Sequence, residues 1–290
     1  MRPAVSARTS PVRPSSREPL AAKVPEVTLL FWVVKVLTTG MGEAASDFLG
    51  GVNLVLAGVV GLGGFVLALW LQYRTRRYVA ATYWFAVAMV AVFGTMAADV
   101  LHVVLGISYV VTTAFWGLAV AVVFFVWYRS EGTLSIHSIT TRRRETFYWA
   151  TVLATFALGT AAGDLTATQL ALGFLASGVL FAVVMLVPAL GWWRFGMNNV
   201  LGFWFAYVVT RPLGASFADW LGKPPSFDGG LGYGDGTVTA AATVLIVALV
   251  GYLAVTRIDI QPAATEGGDD NPPTEDTGPA HRADRADARL

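Results

Sequence analysis

FWVVKVLTTGMGEAASDFL, residues 31–49, sets an aromatic pair, a glycine and an aspartate at fixed intervals in an apolar stretch. Nine residues separate Trp32 from Gly42, and four more separate Gly42 from Asp47. The same spacing returns three times, as Trp84–Gly94–Asp99, Trp149–Gly159–Asp164 and Trp204–Gly214–Asp219. An aromatic residue precedes each tryptophan: Phe31, Tyr83, Tyr148 and Phe203. Four copies at one spacing mark an internal repeat. Before Asp228 the chain has no aspartate outside this motif.

The stretches around the motif are long and apolar. Of 290 residues, 55% are hydrophobic and 13% charged, against about 25% charged in soluble domains. A bilayer of about 30 Å is crossed by about 20 apolar helical residues. Eight such spans are expected, near 27–49, 52–73, 79–104, 107–128, 146–166, 169–191, 199–221 and 236–256. The expected fold is therefore all-α integral membrane: eight transmembrane helices as four parallel two-helix repeats. The repeats fall at 27–78, 79–145, 146–198 and 199–256. Each returns the chain to its starting side, so all four point the same way. The polar tails, 1–26 and 257–290, are expected to be disordered.

Arg74, Arg76 and Arg77, then Arg129 and Arg142 to Arg144, then Arg194 follow the even spans. Only Lys223 lies in the opposite set of breaks. The positive-inside rule then puts both termini in the cytoplasm. There is no cysteine, which excludes disulfides, thiolate metal sites and cysteine nucleophiles. No P-loop, zinc-protease or nucleophile-elbow motif occurs in a usable context. The expected partners are the lipid bilayer and a transported ion or small solute, with no nucleic acid, no enzymatic activity and no bound cofactor.

The segments around the motif, with YWATVLATFALGTAAGDLTA (148–167) and FWFAYVVTRPLGASFADWLG (203–222) beside the first, resemble a known bacterial membrane-protein family. That family carries four tandem repeats of unknown function, each with two membrane spans and a characteristic tryptophan. The resemblance covers about residues 27–256 and implies the architecture without an activity. The second copy, YWFAVAMVAVFGTMAADVLH (83–102), keeps the motif with few other polar residues.

Asp47, Asp99, Asp164 and Asp219 are the foremost site candidates. A carboxylate near the centre of a membrane helix costs about 2.5–3.5 kcal/mol, so it normally faces the interior and binds something. Each lies 15 residues, or about 22 Å, beyond its tryptophan. The competing reading is that each caps the next helix at the hairpin turn. One helical turn before them stand Glu43, Thr95, Thr160 and Ala215. Lys35 and Arg211 lie further down the first and last stripes. Five acids and two bases leave an excess of three negative charges, which protons or a bound cation would relieve. Glu43 and Asp47 are expected to be the proton-sensitive pair, with Asp219 kept charged by Arg211. Oxygen-only donors suit a hard divalent ion such as manganese. His102, three residues after Asp99, is more simply a hydrogen-bonded histidine than a ligand. The tryptophans are expected as interface anchors. The motif glycines, and Gly58, Gly61, Gly63 and Gly64, are expected to let helices approach, and Pro212 to kink its span. Transport of a cation is the leading function. A proton-coupled permease for a small organic solute and a non-transporting scaffold with structural aspartates are the alternatives.

Overall fold

The computed structural model describes residues 22–261, which are helical and contain no strand. The first repeat is α1 (Leu29–Val52) and α2 (Leu54–Arg74). The second is α3 (Ala80–Asp99) and α4 (Tyr109–Glu131). The third is α5 (Arg142–Asp164), followed by α6 (Phe174–Val184) and α7 (Val187–Phe195). The fourth is α8 (Asn199–Gly222) and α9 (Asp235–Thr256). Seven spans are long and apolar enough to cross a membrane, with α6 and α7 counted as one. The eighth, α1, carries Lys35, Glu43 and Asp47 and is 24 residues long.

Polar side chains set the helix starts. Thr28, Asn53, Thr141 and Asn198 each accept a backbone N–H from the first turn of the helix they open. Asn53 alone separates α1 from α2. The arginines Arg142 to Arg144, expected in a loop, form the first turn of α5 instead. Past their aspartates, α3 and α5 widen into π-helical turns, Val100–Val104 and Leu165–Gln169.

The odd spans α1, α3, α5 and α8 form a closed ring, each packed on the next and α8 on α1. Each outer helix lies against the first helix of the following repeat: α2 on α3, α4 on α5, α6 on α8, and α9 back on α1. The inner windows of α3, α5 and α8 are 39–61% buried, against 11–22% for the outer spans. That contrast leaves the outer apolar faces for lipid.

The motif residues form the seams of this ring. The aromatic residue of each repeat meets the tryptophan of the next: Phe31 with Trp84, Tyr83 with Trp149, Tyr148 with Trp204 and Phe203 with Trp32. Ring centroids at these four seams are 5.6–6.1 Å apart. Trp84, Trp149 and Trp204 are buried. The interface-anchor expectation therefore fails for them, because the ring gives them aromatic partners in the protein interior. The glycines follow the same cycle. A Cβ on Gly42 would strike Ala91, on Gly94 Phe156, on Gly159 Arg211, and on Gly214 Thr39. Each clash partner sits eight residues before the next repeat's aspartate. In α2, Gly61 and Gly64 admit Met96 and Met89, but Gly58 and Gly63 face open space and serve no contact. Pro212 lies within a continuous α8 and packs against Gly159.

Both described chain ends lie on one side, as an even number of spans requires. Glu26 N–H donates to Asp259 O at 2.8 Å. Lys23 is buried in an ion pair with Glu145, which also accepts from Gln72 at 3.1 Å. Tyr78 donates to Asp259, and burial, then that carboxylate, push its phenol above the ordinary tyrosine range. The expectation of disorder for 1–26 and 257–290 is thus corrected for 22–26 and 257–261, where buried polar partners fix the backbone. The remainder of both tails lies outside the described residues.

Candidate functional site

Inside the ring, the positions before each aspartate stack into layers along the axis. Nearest the terminal side, Phe31, Tyr83, Tyr148 and Phe203 close the centre, with the Tyr83 and Tyr148 hydroxyls hydrogen-bonded to each other. Lys35 follows. Its Nζ lies 4.1 Å from the ring centroids of both Phe156 and Tyr207 and has no hydrogen-bond partner. Its amine is thus lodged between two aromatic faces.

One layer further, Arg211 is wholly buried and reaches across the axis. Its Nη1 donates to Thr39 O at 3.0 Å. Its Nη2 lies among Glu43 Oε2, Thr95 Oγ1 and, at 2.7 Å, Thr160 Oγ1. Thr95 also donates to Glu43 at 3.1 Å, and Thr160 at 3.4 Å. Glu43, Thr95 and Thr160 occupy one position in repeats one, two and three. The fourth repeat has Ala215 there and fills the layer with Arg211 from the turn before. The inequality of the repeats is thus a division of labour: one guanidinium satisfies the polar groups of the other three.

The four aspartates come next, on the wall of one cavity of about 580 Å³ at the distal end of the bundle. Glu43 forms part of its floor. Carboxylate oxygens of Glu43, Asp164 and Asp219 lie within 4.8 Å of one another. Asp47 is paired with Lys223 at 2.6 Å, and Lys223 also reaches Asp235 at 3.0 Å. The Gly-rich segment after α8 places that lysine. Its N–H groups at Leu231, Tyr233 and Gly234 return to the last carbonyls of α8, and Gly232 N–H to Lys223 O. Gly232 and Gly234 have φ of 80° and 84°, which glycine adopts without strain. Burial alone would lower the Lys223 pKa, but Asp47, Asp219 and Asp235 outweigh it and raise it above the ordinary lysine value.

Among the described residues, Asp99, Asp164 and Asp219 make no salt bridge. Asp219 is 5% exposed, and its Oδ1 has no hydrogen-bond partner. None of the four makes the side-chain bond that a helix cap requires. Asn53, Ser108, Gly173 and Gly234 stand at the starts of the following helices, and no motif aspartate accepts a backbone N–H. The expected pairing also changes. Arg211 neutralises Glu43 and not Asp219, while Asp47 has its own lysine. Asp99, Asp164 and Asp219 are the carboxylates left without a partner cation. His102 bonds Ile107 O through Nδ1 at 2.7 Å and stacks on Tyr109, which assigns it to the π-helical turn. Lys223, Tyr109 and Phe227 reach the cavity without having been singled out. The lone lysine on its side was the available signal for the first.

The family described as Repeat of Unknown Function (DUF347) matches residues 30–78, 82–133, 147–198 and 202–259. The chain belongs to that family. It is a multi-pass membrane protein in which each DUF347 repeat gives one ring helix and one outer span. No curated protein and no solved structure matches it significantly.

Proposed function

We propose that this membrane protein transports a cation, bound in the distal cavity by the motif aspartates. One observation carries the reading: the uncompensated Asp164 and Asp219 converge with Glu43 to within 4.8 Å. Oxygens around one divalent ion, at 2.0–2.6 Å from it, are at most about 5 Å apart, so the set suits a hard ion such as manganese. The aromatic layer and the buried side chains of Arg211 and Lys35 close the axis toward the terminal side. A site reached from one side at a time is what a carrier needs, whereas a channel would have to pass a cation through the closed aromatic layer. The reading makes the protein a carrier and not an enzyme, in a bacterial inner membrane with both termini cytoplasmic. A permease for a small organic solute is favoured by a separate observation, the size of the cavity.

The test is flux into proteoliposomes holding the full chain, with Mn²⁺, Mg²⁺, Ca²⁺ and small organic ammonium ions offered in turn. Saturable flux of one ion class is expected, lost in Asp164→Asn and Asp219→Asn. Flux of no cation, or flux indifferent to both substitutions, overturns the reading.

A further inference from the structure

The cavity is much larger than its carboxylate floor needs. A divalent ion with six waters fills roughly 200 Å³, at about 30 Å³ per water. The cavity is about 580 Å³, within the range of about 300–1,000 Å³ usual for organic ligands. Its upper wall is hydrocarbon. Val100, Val103 and Val104 come from the π-helical turn after Asp99, Leu54 from the start of α2, Phe174 from the start of α6 and Phe227 from the Gly-rich segment. Such turns commonly mark functional sites, and this one delivers three valines to a wall above four acids. A hydrated metal would leave those walls in contact with water.

The polar inventory is one-sided. Asp99, Asp164 and Asp219 bring acceptors without a cation, and the single cation at the wall, Lys223, is already held by Asp47 and Asp235. Asp219 Oδ1, buried and without a donor, marks where a donor is wanted. An anion has no fitting partner in such a wall. A group with N–H donors and a positive charge does, provided that its remainder is apolar.

We infer that the cavity binds an organic ammonium ion, with its head on Asp164 and Asp219 and its apolar body along Val103, Phe174 and Phe227. The inference rests on the cation reading above and narrows its substrate class. Affinity should then grow with the length of the body. Burial of a methylene stabilises by an amount that corresponds to about a three- to fourfold gain in affinity at each step.

The experiment measures binding of n-alkylammonium ions, methyl to octyl, and of Mn²⁺ to the full chain in nanodiscs. Partition into the lipid is separated by Asp164→Asn and Asp219→Asn, which leave the bilayer unchanged. The expected result is a roughly threefold gain per methylene that levels off as the cavity fills. It should vanish in both aspartate variants and weaken about tenfold in Phe174→Ala. Thermal unfolding of each variant checks that it is folded, and Phe174→Leu, which keeps an apolar wall, should restore most of the affinity. Saturable Mn²⁺ binding that needs the aspartates, with no alkylammonium binding, overturns this inference and leaves the cation reading standing. Alkylammonium affinity that is independent of chain length overturns it too. Binding of neither class overturns both.

Discussion

Arg211→Met tests whether the centre of the bundle is held by charge. The guanidinium is 0% exposed and Glu43 3%, so the pair is shielded from water. The substitution removes the ion pair, the bond to Thr39 O and the donors to Thr95 and Thr160, while the methionine stem keeps the contact at Gly159. Glu43 is then left with two threonine hydroxyls for a full charge. Removing one member of a buried pair costs about 3–5 kcal/mol. Adding Glu43→Gln removes the stranded charge, and the amide can still accept from Thr95 and Thr160. The double variant should therefore lose only about 1–2 kcal/mol. Glu43→Gln alone strands the Arg211 charge and costs a similar amount, so the coupling, the sum of the two single losses less the double, is at least about 4 kcal/mol, well above the roughly 0.6 kcal/mol typical of polar contacts between membrane helices. Unfolding of the full chain in one detergent, for the wild type, both single variants and the double, gives the cycle. Additive losses, with the double variant the least stable of the four, would refute the argument that Arg211 neutralises Glu43.

Lys35→Met should leave stability unchanged or higher in the same assay, because the buried amine has two aromatic faces and neither a hydrogen-bond partner nor a counter-ion; a loss above about 2 kcal/mol would exceed what those faces supply. Gly94→Ala would set a Cβ 2.7 Å from Phe156 Cβ and should cost about 1–3 kcal/mol. Gly63→Ala meets nothing within 4 Å and should gain up to about 1 kcal/mol, so thermal shifts of one sign for both would contradict the seam assignment. Reporter fusions after residues 75, 137, 196 and 258 should all report one side of the membrane, and one near 230 the other; any mixed result breaks the parallel arrangement of the repeats.

The sequence by itself determined the class of fold, the repeats and their number. Those follow from local quantities: how long an apolar run is, and how far a tryptophan stands from a glycine and an aspartate. It also singled out Glu43, Lys35, Thr95, Thr160 and Arg211, since ionisable and hydroxyl groups stand out in apolar helices. Their partners were not legible. Asp219 stands eight residues from Arg211 and Asp47 four from Glu43, so reading along single helices paired these neighbours. The ring instead sets Arg211 against three other repeats and brings Lys223, from the distal segment, to Asp47. The tryptophans show the same limit. Apolar surroundings look alike in sequence whether lipid or protein supplies them, and only closure of the ring decided that Trp84, Trp149 and Trp204 face their neighbours. Spacing along one helix fixes which residues share a face, but what that face meets is set by the contact between repeats, which lie 50 or more residues apart.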